Sequence, residues 1–416
     1  MSTRNTRRRI LAMAGLAAGV LAASNVVCAQ IPCGGYEVTA IIHAPECPPF
    51  GFPPTVGLGV SEAGDVVGYY RCPAGEDQAF LWIGNENKFI TLPMPPGTLG
   101  SAAFDIEGAR IVGTFDLGGD GLGGLGFLYD FQTDEFTNLG TLPGGTRSEA
   151  LAVNTAGQIA GYWGNHIIGP WQAFIWEDGV MNDLGPLIGG VANRAFDINE
   201  KGAITGWWRP EQGGERIAFL WHNGQMTDLG PIPGGFSSLG IGINIHNQIT
   251  GAGFLAEQDG PGTLTHAFFW ENGEMIDLGI LPGFPRSAGS DISDDGTIVG
   301  QAWGAGQAGF IWKDGVMTDM DELIVDNRDI HIEIAREINS VGQITGTASG
   351  AFGIAAVLLM PINSPLGDLD LDCSVGASDL LILLSNWGRC KGCPSDLDGN
   401  GSVGASDLLI LLVNWG

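Results

Sequence analysis

Two acidic loops near the C-terminus have the residue types and spacing that bind a hard cation. The first runs from Asp368 to Asp379, and the second repeats its order from Asp396 to Asp407. Oxygen-bearing residues at alternating positions of such a loop, and at its last position, converge on Ca²⁺ when the chain turns sharply. The sequence therefore predicts two calcium sites, formed by Asp368, Asp370, Asp372, Ser374 and Asp379 and by Asp396, Asp398, Asn400, Ser402 and Asp407.

Each loop is followed by the same run, Asp-Leu-Leu-Ile-Leu-Leu, which predicts two helices that share a small core. The whole segment, residues 368–416, resembles a duplicated dockerin and, more closely, the dockerin-like tails of exported bacterial proteins that end in Trp-Gly. This resemblance implies two bound calcium ions and attachment to a cohesin-like or cell-envelope protein. One departure from the dockerin pattern is Cys373, which occupies a loop position where the family normally has glycine.

A second group of acidic residues recurs at one position of an internal repeat. Asp105, Asp197, Asp291 and Glu337 each precede an isoleucine, and the other repeats have glycine or alanine there. If these side chains line a common channel, they would hold a cation or act as a general acid and base. The alternative is that each carboxylate only accepts hydrogen bonds from nearby backbone.

Aromatic residues recur at another position, two residues after a glycine of the repeat. They would stack on sugar rings if a rim exposes them, or they would pack between the repeats; core packing is the favoured interpretation. These aromatic residues are Tyr70, Phe115, Trp163, Trp208 and Trp303.

No known catalytic motif is present in the sequence. It lacks His-Glu-x-x-His, Gly-x-Ser-x-Gly and a phosphate-binding loop, and its six histidines fall at different positions of the repeat. The sequence therefore assigns no catalytic residue.

The repeat that positions these side chains is about 45 residues long and occurs seven times, a period typical of four-stranded propeller blades. In one unit, alternating and β-branched residues predict strands at residues 195–198, 203–208, 217–221 and 225–229. The seventh unit lacks a fourth strand, while an unassigned strand precedes the first unit at residues 36–41. We therefore expect a mainly β, seven-bladed propeller in which residues 36–41 pair with 355–360 and close the ring.

Three recurring steps in these units resemble the extracellular HAF repeat family. They are Ala-Phe-Leu/Ile-Trp, Asp-Leu-Gly and Ile-Asn-x-x-Gly-x-Ile-x-Gly, and together they cover residues 36–361. The resemblance implies an exported β-repeat protein and says little about a ligand.

The N-terminus has the features of a signal peptide, residues 1–29. Basic residues at Arg7 to Arg9 precede an apolar stretch and a small-residue cleavage site, Val27-Cys28-Ala29. The pattern is compatible with export by either the Sec or the Tat pathway. We expect a secreted or cell-surface protein whose remaining six cysteines form disulfides, although Cys390 and Cys393 also have zinc-ligand spacing. The connectivity is open among Cys33, Cys47, Cys72, Cys373, Cys390 and Cys393.

The net charge of −28 argues against nucleic acid or an anionic membrane as a partner. The expected organisation is a propeller at 30–361, a linker at 362–367 and the calcium-binding tail at 368–416. The leading prediction is a monomeric, non-enzymatic binding or structural protein attached through its tail. The alternative is a glycan-binding or polysaccharide-degrading component, a lyase or hydrolase, that uses channel carboxylates and rim aromatics. A convergent carboxylate pair favours the enzyme, and carboxylates satisfied by backbone favour the binding protein.

Overall fold

A computed structural model describes residues 35–45, 54–71, 75–117, 124–165, 170–185, 190–256, 263–325, 329–362, 368–369, 375–389, 393, 395–398 and 400–415. The predicted signal peptide and the cysteines other than Cys393 lie outside these residues, as do Asp370, Asp372 and Ser374 of the first predicted calcium loop. No helix in the described part of the chain has the length and apolar character that a membrane span requires.

Seven four-stranded antiparallel sheets form the blades, as the repeat predicted. The first three blades are β2 (Thr55–Val60), β3 (Val66–Arg71), β4 (Asp77–Ile83), β5 (Lys88–Thr91); β6 (Gly100–Glu107), β7 (Arg110–Asp116), β8 (Leu125–Asp130), β9 (Glu135–Gly140); β10 (Arg147–Val153), β11 (Ile159–Gly164), β12 (Trp171–Glu177), β13 (Val180–Asp183). The next three are β14 (Ala192–Ile198), β15 (Ile204–Arg209), β16 (Ile217–His222), β17 (Gln225–Asp228); β18 (Ser237–Ile243), β19 (Ile249–Ala256), β20 (Thr263–Glu271), β21 (Glu274–Gly279); β22 (Arg286–Ile292), β23 (Ile298–Trp303), β24 (Gln307–Lys313), β25 (Val316–Asp319).

The seventh blade closes the ring by the predicted strand exchange. Its strands β26 (Ile330–Ile338), β27 (Ile344–Gly350) and β28 (Gly353–Pro361) are completed by β1 (Tyr36–Ile42) from the start of the described chain. β1 pairs antiparallel with β28, with Tyr36 opposite Pro361 and Ile42 opposite Ala356. The prediction of seven blades and N-terminal closure is therefore confirmed.

The sixth blade ends differently from the others. Its fourth strand β25 stops at Asp319, and a short helix α1 (Met320–Leu323) follows. The Asp319 side chain accepts a hydrogen bond from the Asp321 N–H, which caps this helix. The fully buried Met320 then fills the core beside the closing blade.

The blade cores are built from the third strand, where a phenylalanine is fully buried in each of six blades. The asparagine of each Asn-x-x-Gly turn joins neighbouring blades. Asn199, for example, accepts backbone hydrogen bonds within its own turn and donates from Nδ2 to the Asn244 carbonyl at 2.7 Å. The same bond runs from Asn339 to the Ser61 carbonyl, so the link continues across the closure. The recurring Ile-Asn-x-x-Gly step is therefore explained by blade-to-blade attachment.

We expect Asn199→Ala to lower the free energy of unfolding by about 1–3 kcal/mol, because it leaves buried backbone groups of two blades without partners. Asn182→Ala is the matched control, since Asn182 is exposed and its amide makes only a 3.4 Å contact with the Val180 carbonyl. Calorimetric unfolding of both variants measures the difference. Equal melting temperatures would show that the asparagine link does not stabilise the ring.

Two nine-residue helices, α2 (Ala377–Ser385) and α3 (Ala405–Val413), follow in the tail, together with a short pairing of β29 (Gly388–Arg389) and β30 (Ser402–Val403). Leu383 and Leu411 are fully buried and share a core with Val375 and Val403. The structure thus has two short helices with a mutual core, and the identification of this segment as a dockerin stays a prediction.

Candidate functional site

The first strands of the blades surround the axis of the ring, since each lies against the first strand of the next blade. In every first strand the register shifts by one residue, as between Ala195 and Asp197 in β14. Such a β-bulge bends the strand and redirects a side chain. The repeated glycine of the second strand sits opposite this bulge, and a Cβ on Gly206 would overlap the Arg194 carbonyl oxygen.

The bulge turns four carboxyl groups toward the axis. These are the predicted channel carboxylates Asp105, Asp197, Asp291 and Glu337, and all four line one cavity of about 450 Å³. The structure therefore brings together the residues that the sequence singled out. Arg336 also lines this cavity, a residue that the repeat pattern gave no reason to select.

Each aspartate also joins its blade to the next one. Asp197 Oδ1 accepts from the N–H of Ile198 at 2.7 Å, and its Oδ2 accepts from Ile243 in the following blade at 2.8 Å. Asp105 and Asp291 repeat the arrangement, with cross-blade bonds from Val153 at 2.7 Å and from Ile338 at 2.9 Å. The sequence analysis gave convergence on the channel and hydrogen bonding to backbone as alternatives for these carboxylates. In the structure the aspartates do both.

Small residues in the intervening blades make room for these carboxylates. A Cβ on Gly242 would come within 2.8 Å of the Asp291 Cα and 2.9 Å of its Oδ1, and a Cβ on Gly59 within 2.9 Å of the Asp105 Cα. Close packing of this kind forbids a larger side chain without a backbone shift. The absence of an acid in these repeats thus follows from the packing beside Asp105 and Asp291.

Burial raises the pKa of all four carboxyls, which are partly open to the channel yet closely surrounded by protein. Desolvation raises the pKa of Asp105 to about 7 and that of Asp291 to about 6, against the lowering effect of their backbone hydrogen bonds. The pKa values of Asp197 and Glu337 are raised well above their usual range, first by burial and next by the negative charge of Asp291 and Asp105 respectively. Each of these carboxyls therefore holds its proton more tightly than an exposed carboxyl does.

The predicted rim aromatics lie mainly inside the blades. Tyr70, Phe115 and Trp208 are buried members of blade cores, and Trp163 packs against such a core. Tyr70 also bonds the side chains of Gln78 and Thr91 through its hydroxyl. These four rings therefore lie in or against the blade cores and not on an exposed rim. Trp303, at the end of β23, is half-buried.

The second calcium loop brings its acidic residues together. Asp396, Asp398 and Asp407 place carboxylate oxygens within 4.8 Å of one another, a cluster that the channel carboxylates do not form among the described residues. Asp407 Oδ1 accepts from the Asp398 N–H at 3.1 Å, and Asn400 and Ser402 bond each other in the same loop. Asp396 Oδ1 is buried and has no hydrogen-bond partner among the residues of the tail that the structure describes. An unpartnered buried oxygen beside two carboxylates fits a hard cation.

In the first loop the structure describes Asp368 and Asp379, both buried. Asp379 accepts from the backbone N–H groups of Leu369 and Gly376, as Asp407 does from Asp398 and Gly404. Cys393 is disulfide-bonded and does not act as a zinc ligand.

No family model matches this sequence, and no curated protein matches it. The fold is similar to an oligogalacturonate lyase from Vibrio parahaemolyticus, with a TM-score of 0.48 and 9% identity over 79% of this chain and 98% of that one. It is also similar to the propeller domain of the Trilobed protease from Pyrococcus furiosus, with a TM-score of 0.46 and 10% identity over 73% and 93% of the two chains. At these identities only the propeller fold is shared.

The prediction of a non-enzymatic binding or structural protein is wrong. The solved propellers to which this fold is similar are described as a protease, as acylaminoacyl peptidases or as oligogalacturonate lyases, and none of these is described as a non-enzymatic binding protein. The prediction had rested on the absence of a catalytic sequence motif. A motif search does not detect carboxyl groups that come from four separate blades and line one cavity only in the folded ring.

Proposed function

We propose that the propeller cleaves polysaccharides by acid–base catalysis in its channel. The observation that carries this proposal is the convergence of four carboxyl groups on one cavity, two of them with pKa values of about 6 and about 7. A general acid or base works best when its pKa lies near the operating pH. Most enzymes that hydrolyse a glycosidic bond also use two carboxyl groups, one protonated and one ionised.

We assign the two roles from the pKa values of Asp105 and Asp291. Of this pair Asp105 has the higher pKa and is the general acid, which gives its proton to the glycosidic oxygen that leaves. Asp291 has the lower value and is the general base, which takes a proton from water in hydrolysis or from a sugar carbon in elimination. The backbone hydrogen bonds do not block this role, because a carboxylate has about four lone-pair sites and each aspartate uses two of them here.

The experiment is incubation of the full chain with a panel of neutral and acidic polysaccharides. New reducing ends report cleavage, and ultraviolet absorbance of a new double bond separates elimination from hydrolysis. We expect one group of substrates to be cleaved. A panel with no new reducing ends over the whole neutral pH range would overturn the proposal.

We also propose that the tail binds two calcium ions and attaches the exported protein to a cohesin-like or cell-envelope partner. In the second loop, Asp396, Asp398 and Asp407 would hold the ion together with Asn400 and Ser402. The support is the carboxylate cluster with its unpartnered Asp396 oxygen. Bound calcium would neutralise these carboxylates and stabilise a segment whose own core is small.

The outer faces of the two tail helices support attachment to a partner. Equivalent leucines on α2 and α3, Leu381 and Leu409, are 68% and 63% exposed, and the following tryptophans Trp387 and Trp415 are 50% and 44% exposed. Exposed apolar groups at matching positions of a duplicated module form a surface suited to a protein partner.

Calcium titration of the full chain by calorimetry is expected to show two bound ions, and Asp396→Asn is expected to show one, because the amide replaces the oxygen that lacks a partner. Asp178→Asn is the matched control: Asp178 is an exposed turn residue of the propeller with a φ of 50°, a conformation that asparagine tolerates. A chain that releases no calcium heat, or a variant that still binds two ions, would contradict the assignment.

A further inference from the structure

Four arginines of the third and fourth blades gather around the rings of Trp171 and Trp207. Arg147 begins β10, Arg194 lies in β14, Arg209 ends β15 and Arg216 precedes β16 by one residue. We call these four residues the arginine cluster. They stand out in a chain whose net charge is −28, because most of its surface charge is negative.

Arg194 is held at the centre of the cluster by aromatic rings. Its guanidinium carbon lies 4.3 Å from the centre of the Tyr162 ring, 4.6 Å from Trp171 and 5.7 Å from Trp207. Stacking fixes the plane of a guanidinium and leaves the N–H groups at its edge free to donate. The aromatic rings therefore hold the guanidinium N–H groups of Arg194 in a fixed orientation.

The donors of the cluster are incompletely used. The Nε atoms of Arg147, Arg194 and Arg209 are buried and have no hydrogen-bond partner in the described part of the chain. Buried donors normally have a partner, so each of these groups points to a missing acceptor. Three of them within one cluster favour an acceptor with several oxygen atoms.

Acidic side chains offset only part of this charge. Glu149 contacts Arg147 at 3.3 Å, and Glu215 lies next to Arg216 in the sequence. Among the described residues, Arg194, Arg209 and Arg216 form no ion pair with a carboxylate. The cluster therefore keeps an excess of positive charge that an anionic ligand would neutralise.

The cluster lies near the channel carboxylates. Arg194 and Asp197 belong to the same strand and are three residues apart, which is about 10 Å along a strand. Trp171 is partly exposed, with the guanidinium carbons of Arg194 and Arg147 at 4.6 and 5.0 Å from its ring centre, and the exposed part of the ring would contact the apolar face of a sugar. One oligosaccharide would be able to reach both groups.

We propose that the arginine cluster binds the carboxylate of a uronic acid unit, so that the substrate of the channel is an acidic glycan. This inference rests on the proposed function, because it names the substrate class of the same site. A planar carboxylate accepts two parallel N–H bonds from a guanidinium, and such charge-assisted pairs are stronger than neutral hydrogen bonds. A neutral sugar would leave the arginine donors unsatisfied.

Equilibrium binding of oligogalacturonate to the full chain tests the inference. We expect Arg194→Gln to weaken binding about ten- to hundredfold, since it removes charge-assisted bonds to the ligand. Arg286→Gln is the matched control, because Arg286 begins β22 as Arg147 begins β10, and among the described residues its Nε donates to the Thr263 carbonyl at 3.4 Å. It should bind as tightly as the wild type. Arg209→Gln, which alters the cluster without touching the stacked Arg194, provides a second variant should Arg194→Gln fold poorly.

The ligand arms separate this inference from the proposed function. Methyl-esterified oligogalacturonate, which lacks the charge, should bind weakly, and polyglutamate should bind weakly because it offers no sugar ring to Trp171. Equal binding of the wild type and both cluster variants, or equal binding of polyglutamate, would overturn the inference. Oligogalacturonate that binds through the cluster but is never cleaved would sustain the inference and count against catalysis. Cleavage confined to neutral glycans would support catalysis and overturn the inference.

Discussion

Asp105→Asn is expected to lower the rate of polysaccharide cleavage by about 10²- to 10⁴-fold, the contribution of a positioned general acid. An amide cannot donate the proton that the leaving glycosidic oxygen needs. Asp291→Asn should give a loss of the same order, since an amide is not a base at neutral pH. Initial rates of reducing-end release, measured at saturating substrate on each purified variant, check both values.

The control for this prediction is the same Asp→Asn change at a residue that also accepts a backbone hydrogen bond but lies outside the channel. Asp228→Asn is suitable, because Asp228 accepts a backbone hydrogen bond from Gly230 at 2.7 Å but lies on an exposed outer strand. Asn at residue 105 would place an N–H₂ group against a backbone N–H, so the folded fraction of each variant must be measured by calorimetry. Folded Asp105→Asn protein that cleaves at the wild-type rate would remove Asp105 from the mechanism.

Removal of residues 36–42 is expected to prevent the mature propeller from folding cooperatively. This strand completes the seventh blade, and Tyr36, Val38 and Ile42 are each at most 2% exposed. Burial of three such side chains contributes roughly 5–9 kcal/mol, at about 1.5–3 kcal/mol each, which is comparable with the whole stability of a domain. The loss also exposes the edge of β28, which favours aggregation.

Thermal unfolding of the truncated protein, followed by circular dichroism, measures this effect. A single substitution, Val38→Asp, tests the same point because it puts a charge into the core of the closing blade. Glu37→Ala is its control, since Glu37 is exposed on the same strand. A peptide of residues 35–45 added in trans should restore a cooperative transition. A truncated chain that melts like the intact one would show that the ring does not depend on this closure.

The number of blades and the closure were predictable because they are properties of a repeat. Seven copies of a glycine step fix the count, and a missing fourth strand at one end matches a surplus strand at the other. The β-bulges beside Asp105, Asp197 and Asp291 were not predictable, since one extra residue in a short strand leaves no trace in the hydrophobic pattern. The repeated glycine of the second strand marks the place opposite each bulge, but its spacing alone predicts only a strand position.

The site was predictable only where the repeat placed identical residues at one position. Asp105 and Asp197 were found in that way, as was their position on the channel. The contact of Arg194 with Tyr162 and Trp171 joins residues of neighbouring blades that do not recur together in the repeat, so no periodicity reveals it. The same holds for the protonation of the carboxyls, which depends on burial and on charges from other blades.

The pH dependence of the cleavage rate tests the channel mechanism most directly. Below a pH of about 6 the base Asp291 becomes protonated, and above about 7 the acid Asp105 loses its proton, so kcat/KM should follow a bell with its maximum between these values. Asp105→Asn should remove the fall on the alkaline side, and Asp291→Asn the fall on the acidic side, in whatever activity each variant retains. Identical profiles in the wild type and both variants, or no cleavage at any pH, would contradict catalysis by the channel carboxyls.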